Sequence, residues 1–195
     1  MNDEKILGVI SPVKGIHNPL PQIRAESYWA LFFTNSRIIV AKTVGFGTAL
    51  GKEVALGGLG GMAGSEVGGA VGGKLGGKLG GIIGAISGGL AAEDQNLKES
   101  NANTEAMKNL PPAAIMQKDK SNYSLAYSEI RQVEMQKLLN MPISFIKIQM
   151  NDGKKIEFGT VPGNLKGIIK SQIPAFNQYV EIVKKVLGNK VKVKQ

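Results

Sequence analysis

The stretch YWALFFTNSRIIVAKT, residues 28–43, decides the fold. Residues 28–33 are rich in aromatics, a composition that reads as a strand with Trp29 and its neighbours in the core. Thr34, Asn35 and Ser36 follow as a tight polar turn, and residues 37–43 (RIIVAKT) return as a second strand. A β-hairpin is predicted there.

Outward from the hairpin, residues 5–10 alternate weakly and read as a strand. A loop punctuated by Pro12, Gly15, Pro19 and Pro21 comes next, carrying Lys14, His17 and Arg24. On the other side the β pattern stops at Val44 and resumes only after Pro111 and Pro112. Residues 113–118 and 123–127 are candidates to pair across the turn at 119–122, and residues 130–137 form a further strand. Residues 142–150 (PISFIKIQM) alternate well, Asn151-Asp152-Gly153 is a hairpin signal, and residues 154–160 return. In residues 162–187, Leu165, Ile168, Ile169, Ile173, Phe176, Val180, Val183 and Leu187 recur at three-and-four spacing, which predicts a helix that Pro174 kinks or divides. Antiparallel strands closed by one amphipathic helix predict an α+β fold, a small bent sandwich or barrel plugged by that helix.

The interruption, GGLGGMAGSEVGGAVGGKLGGKLGGIIGAISGGLAA (residues 57–92), is read in steps of four. Gly60, Gly64, Gly68, Gly72, Gly76, Gly80, Gly84 and Gly88 are glycine without a break, and the spacers are Leu, Val, Ile, Met and Ala. Period four lays small residues along a helix ridge where a second helix can approach closely, the small-xxx-small pattern of membrane helix pairs. Composition alone would favour a flexible Gly-rich linker; the sustained phase and the apolar spacers in place of Ser and Thr oppose it. Glu66, Lys74 and Lys78 interrupt the apolar run, so a plain single span is disfavoured. A hairpin with Lys74 and Lys78 near its tip, an assembly of such helices, or an interfacial lie remain. Thirty-six helical residues folded in two give about 27 Å per arm, close to one bilayer core. Residues 93–109 are polar and without sustained periodicity, and read as a linker or frayed helix.

Composition narrows the chemistry. The 195 residues include no Cys and one His, which excludes disulfides and thiolate metal sites. No catalytic, cofactor or metal site is expected. His17 reads as a solvated loop residue, and no G-x-x-x-x-G-K-[ST] phosphate loop occurs. The N-terminus, MNDEKILGVI, has no long apolar core and does not read as a signal peptide. Net charge +9 points to an anionic partner. Candidate contacts to anionic lipid are Lys14, Arg24, Lys74, Lys78, Lys184, Lys185 and Lys190. Nucleic acid is disfavoured, because no RNA-stacking motif accompanies the charge.

The stretch YWALFFTNSRIIV (28–40) resembles the strand, Thr-Asn-x-Arg, strand hairpin of bacterial PH-like and GRAM-type domains. LAYSEIRQVE (125–134) is similar to their Tyr-x-x-Ile-x-x-Val strand, and residues 148–158 to their last hairpin. The resemblance covers roughly residues 3–43 and 113–187. It implies a PH-like barrel capped by a C-terminal helix and split after its third strand, near the loops where PH domains meet lipid headgroups. The expected organisation is a split domain (1–43 and 113–187), a glycine-zipper helical insertion (44–92), a polar linker (93–112) and a basic tail (188–195). The expected function is a non-enzymatic, membrane-associated homo-oligomer on the cytoplasmic face of a membrane. Its insertion would enter the bilayer and drive oligomerisation or membrane remodelling. The alternative is a soluble homo-oligomeric scaffold or filament assembled through the Gly-rich helices.

Overall fold

A computed structural model describes residues 3–17, 27–44, 90–137, 144–160 and 168–194. The strands are β1 (Ile6–His17), β2 (Tyr28–Thr34), β3 (Arg37–Val44), β4 (Tyr123–Ala126), β5 (Ile130–Lys137), β6 (Ser144–Met150), β7 (Lys155–Thr160) and β8 (Val191–Lys194). The helices are α1 (Leu90–Lys108), α2 (Pro112–Gln117) and α3 (Ile168–Leu187), with a 3-10 turn, Gly188–Lys190, before β8. All eight strands join one sheet in the order β4-β3-β2-β1-β7-β6-β5-β8.

β1 is the hub. Its residues from Ile6 to Lys14 pair with β2, and those from Val13 to His17 pair with β7. Between Ile10 and Val13 the β1–β2 register shifts, because three steps along β1 face two along β2, from Leu31 to Trp29. Pro12 occupies this bulge, where a residue without an N–H donor leaves no ladder position unfilled. The loop expected at Ser11–His17 is thus the second half of a long strand.

The sheet is open and mixed, which corrects the expected fold. A barrel closes when its two outer strands join in one ladder, but among the described residues β4 pairs only with β3 and β8 only with β5. The expected bent barrel with a capping helix is therefore replaced by a single eight-stranded sheet. The residues read as a basic tail add to it as β8, running parallel to β5 from Val133↔Val191 to Gln136↔Lys194. The expected Gly-rich helical hairpin lies outside the described residues up to position 89. Residues 90–92 already belong to α1.

β2 explains why both faces of the sheet are covered. Every residue from Tyr28 to Thr34 is buried. Trp29, Leu31 and Phe33 join an apolar cluster with Val133, Ile146, Phe158 and, from α3, Phe176, Val183 and Leu187. Ala30 and Phe32 point to the back face, where Ile39, Ala41, Met107 of α1 and Ile115 of α2 enclose them. The helix α3 is continuous through Pro174, and its apolar stripe covers the front face. Residues 113–118, expected as a strand, form most of α2 instead. Pro112 opens that helix, where a missing N–H is tolerated, and β4 pairs with β3.

Candidate functional site

At one end of the sheet Lys14, Tyr28 and Val44 lie in register across β1, β2 and β3. The Lys14 ammonium stands 4.7 Å from the centre of the Tyr28 ring, a cation–π geometry. Tyr28 and Val44 pack with Leu97 of α1. The chain therefore leaves β3 and returns along α1 at the same end of the sheet. The connection from β1 to β2, which carries Arg24, departs from this end as well.

A row of hydroxyls holds α1 to the back of the sheet. The Ser100 and Thr43 hydroxyl oxygens are 2.7 Å apart, and those of Thr104 and Ser11 are 2.8 Å apart. Asn103 Nδ2 donates to the Thr43 carbonyl at 2.7 Å. Leu97, Ser100, Thr104 and Met107 are all buried, at three-four-three spacing on one helix face. These residues were missed in the sequence because two of the four are hydroxylic. The spacing alone was the available signal.

The opposite end is built on the Thr-Asn-x-Arg motif, and its role there is structural. Thr34 Oγ1 accepts from the Ser36 and Arg37 amides at 3.1 and 3.0 Å, which folds the turn. Glu4 Oε1 accepts from Thr34 Oγ1, Ser36 Oγ and Arg37 Nε, and Oε2 accepts from the Arg37 guanidinium at 2.9 Å. These bonds, led by Arg37, hold the Glu4 carboxyl below its usual range. The Tyr127 hydroxyl donates to the Thr34 carbonyl at 2.6 Å, and burial, then the nearby Glu4, push its ionisation up.

The candidate lipid contacts separate along this axis. Lys14 lies at the α1 end, while the Lys190 ammonium donates to the carbonyls of Tyr127 and Ile130 at 2.8 and 2.7 Å, near Thr34. Lys184 and Lys185 are exposed in the last turn of α3. That helix passes Tyr179 beside Ser11 and Ile182 beside Gly8, so its C-terminus points toward the Thr34 end. Tyr28 and Thr34 are six strand steps apart, roughly 20 Å. Lys14 and the C-terminal lysines thus occupy opposite ends. Gly60, Gly64, Gly68, Gly72, Gly76, Gly80, Gly84, Gly88, Arg24, Lys74 and Lys78 lie outside the described residues.

A cleft of about 510 Å³ opens between β4 and the β6–β7 turn, with Leu125, Met150 and Ile156 among its lining and Glu129, Asp152 and Lys154 among its polar residues. Asp152 and Lys154 pair at 2.7 Å, and no His or Cys lines the cleft. Among the described residues no group of three His, Cys, Asp or Glu side chains is placed to hold a metal ion. No helix among them is long and apolar enough to cross a membrane. The sequence matches no protein-family model, and no curated protein matches it significantly.

Proposed function

We propose that this chain is a non-enzymatic, membrane-associated protein. Its sheet is a platform at a bilayer surface, and the glycine-zipper segment between β3 and α1 enters the bilayer and self-associates. The observation that carries this reading is the packing of Val44 against Tyr28 and Leu97, which keeps both ends of the segment on one side of the sheet. A segment tethered in this way crosses a bilayer an even number of times or lies in its surface, because polar backbone flanking it cannot sit in hydrocarbon. Lys14 at the same end, with a net charge of +9, favours an anionic lipid surface there.

Flotation of the full chain with phosphatidylglycerol vesicles tests the membrane reading. Cross-linking in those vesicles, wild type against Gly72→Leu/Gly76→Leu/Gly80→Leu, tests the zipper. The expected result is flotation by both chains and oligomers by the wild type alone, since Leu side chains hold the backbones apart. Unchanged oligomers in the triple variant would remove the zipper. Oligomers without flotation would favour the soluble scaffold.

A further inference from the structure

We propose that the cleft beside β4 receives an extended peptide of a partner protein, which adds antiparallel to β4 as a further strand. Ser124 and Leu125 are neighbours whose side chains point to opposite faces of the sheet, yet both line the cleft. The cleft therefore looks onto the edge of the strand and its main chain.

Two contacts fix which main-chain groups lie on that edge. The Lys42 N–H donates to the side-chain oxygen of Asn122, just before β4, at 2.8 Å. The Arg37 N–H and carbonyl both bond the Thr34 hydroxyl, on the β2 side. Main-chain groups alternate sides along an antiparallel strand, so residues 38, 40 and 42 face β4. Ile38↔Leu125 and Val40↔Tyr123 are then the bonded pairs, and Ser124 and Ala126 turn their main-chain groups toward the cleft. The Ala126 carbonyl accepts from the Glu129 N–H at 3.0 Å. Among the described residues, the N–H and carbonyl of Ser124 have no hydrogen-bond partner. An extended peptide running antiparallel satisfies both with a single residue, the exchange that strand addition uses.

The same register sets the side chains of the added strand. The residue opposite Ser124 shares its face, and the residues on either side share that of Leu125. Leu125, Met150 and Ile156, buried members of the front cluster, line the cleft, so apolar side chains fit at those alternate positions. At the mouth Asp152 and Lys154 are matched to one another at 2.7 Å. Glu129 is exposed and has no ion pair among the described residues, which leaves one carboxylate for a basic side chain. The Asn151 N–H donates to the Glu129 carbonyl at 2.8 Å, so Glu129 stands where the β4–β5 and β6–β7 turns meet. The chain as a whole carries +9, so a basic peptide gains nothing from its overall charge. β4 meets β3 at residues 37–40, toward the end of the sheet opposite Lys14, and the site is independent of the membrane reading.

The isotope-labelled full chain is titrated with acetyl-KVTVK-amide while its backbone amide resonances are followed. The expected result is saturable shifts at Ser124, Leu125, Ala126 and Ile156. They should vanish with acetyl-KVPVK-amide, whose central Pro has no N–H for the Ser124 carbonyl. Acetyl-EVTVE-amide should bind about fivefold more weakly, as should the basic peptide on Glu129→Lys, and the acidic peptide should recover on that variant. Ser124→Pro removes the outward N–H and leaves the β3 ladder intact, and should weaken binding about tenfold. Shifts confined to other residues, or none at millimolar peptide, overturn the proposal. Equal binding of the Pro peptide at the same residues would make the cleft a pocket for small apolar molecules and overturns strand addition. Concentration-dependent shifts at Ser124 without peptide would make a second copy the occupant and overturn it likewise. If Ser124→Pro does not fold, the three peptides and Glu129→Lys decide.

Discussion

The Tyr127 hydroxyl donates to the Thr34 carbonyl at 2.6 Å, tying the corner between β4 and β5 to the end of β2. The two residues are 93 positions apart, and the insertion lies between them. The bond is half-buried, so removing the hydroxyl leaves a carbonyl poorly reached by water. Tyr127→Phe is expected to destabilise the sheet by about 1–3 kcal/mol, with the ring packing retained. Denaturant unfolding checks it, and an unchanged midpoint would mean that water replaces the hydroxyl.

Acid should act through Glu4. Its folded-state carboxyl is held below the usual value, chiefly by the Arg37 side chain and then by Ser36 and Thr34, against the opposing effect of burial. A group depressed on folding contributes stability that is present above its unfolded value and lost as pH falls through the folded one. Wild type should therefore lose stability below about pH 4.5, the unfolded carboxyl range. Asp119 adds in the same direction. Burial raises its carboxyl, but the Ser121 hydroxyl and amide outweigh that and leave it lowered. Glu4→Gln should be less stable at neutral pH and flatter between pH 5 and pH 3, which thermal melts across that range measure. A parallel decline in both proteins would shift the acid sensitivity to other carboxylates.

The lysines divide into two kinds. Lys190 is half-buried with its ammonium on two carbonyls, so Lys190→Met should cost about 1–3 kcal/mol of stability. Lys184 and Lys185 are exposed, and their replacement by Ala should stay within about 0.5 kcal/mol. Vesicle affinity should reverse this order of sensitivity. Lys14→Ala, at the end from which the insertion departs, should weaken binding to anionic vesicles about fivefold, as expected for one lysine near such a surface. Lys184→Ala/Lys185→Ala, at the far end, should leave it unchanged. Equal losses from both variants would mean that the sheet lies flat on the lipid.

The hairpin was legible because residues 28–33 are aromatic and aliphatic without a polar break and the turn after them is polar and short. The strands β5, β6 and β7 were legible for a related reason, since alternation such as Ile146, Ile148 and Met150 survives wherever one face is buried. The helix α1 was obscured because Ser100 and Thr104 fill the middle of its buried face, and a hydrophobic period cannot register hydroxyls. The strand β8 was obscured by its lysines. VKVK alternates as a strand should, but Lys192 and Lys194 drew the reading toward a solvated tail, and Lys194 is in fact paired to Glu134 at 2.8 Å. The cleft was beyond reach of the sequence, since Leu125 meets Met150 and Ile156 only through the order in which strands pair. Openness has the same origin. Local pattern names strands, whereas the two edges of a sheet are set by which strands find no second partner.

Gly8 provides the most local test of how α3 is seated. It pairs with Phe33, and its φ is not in the left-handed region, so backbone strain is no obstacle to a side chain. Space is the obstacle. A Cβ at position 8 would lie 2.6 Å from Ile182 Cγ2 and 2.8 Å from Cγ1. The Cγ atoms of a β-branched residue cannot swing away without moving the helix. Gly8→Ala should therefore destabilise by about 1–3 kcal/mol, the range for overpacking. Ile182→Ala removes every atom in the clash and should itself cost about 2–3 kcal/mol, because Ile182 packs partly buried against the front cluster. In that background Gly8→Ala should become neutral or stabilise by about 0.4–1 kcal/mol, since alanine also narrows the unfolded ensemble. The double-mutant cycle thus predicts strongly non-additive effects, measured by chemical denaturation of the four proteins. Additive losses would mean that α3 sits farther from β1 than Gly8 requires.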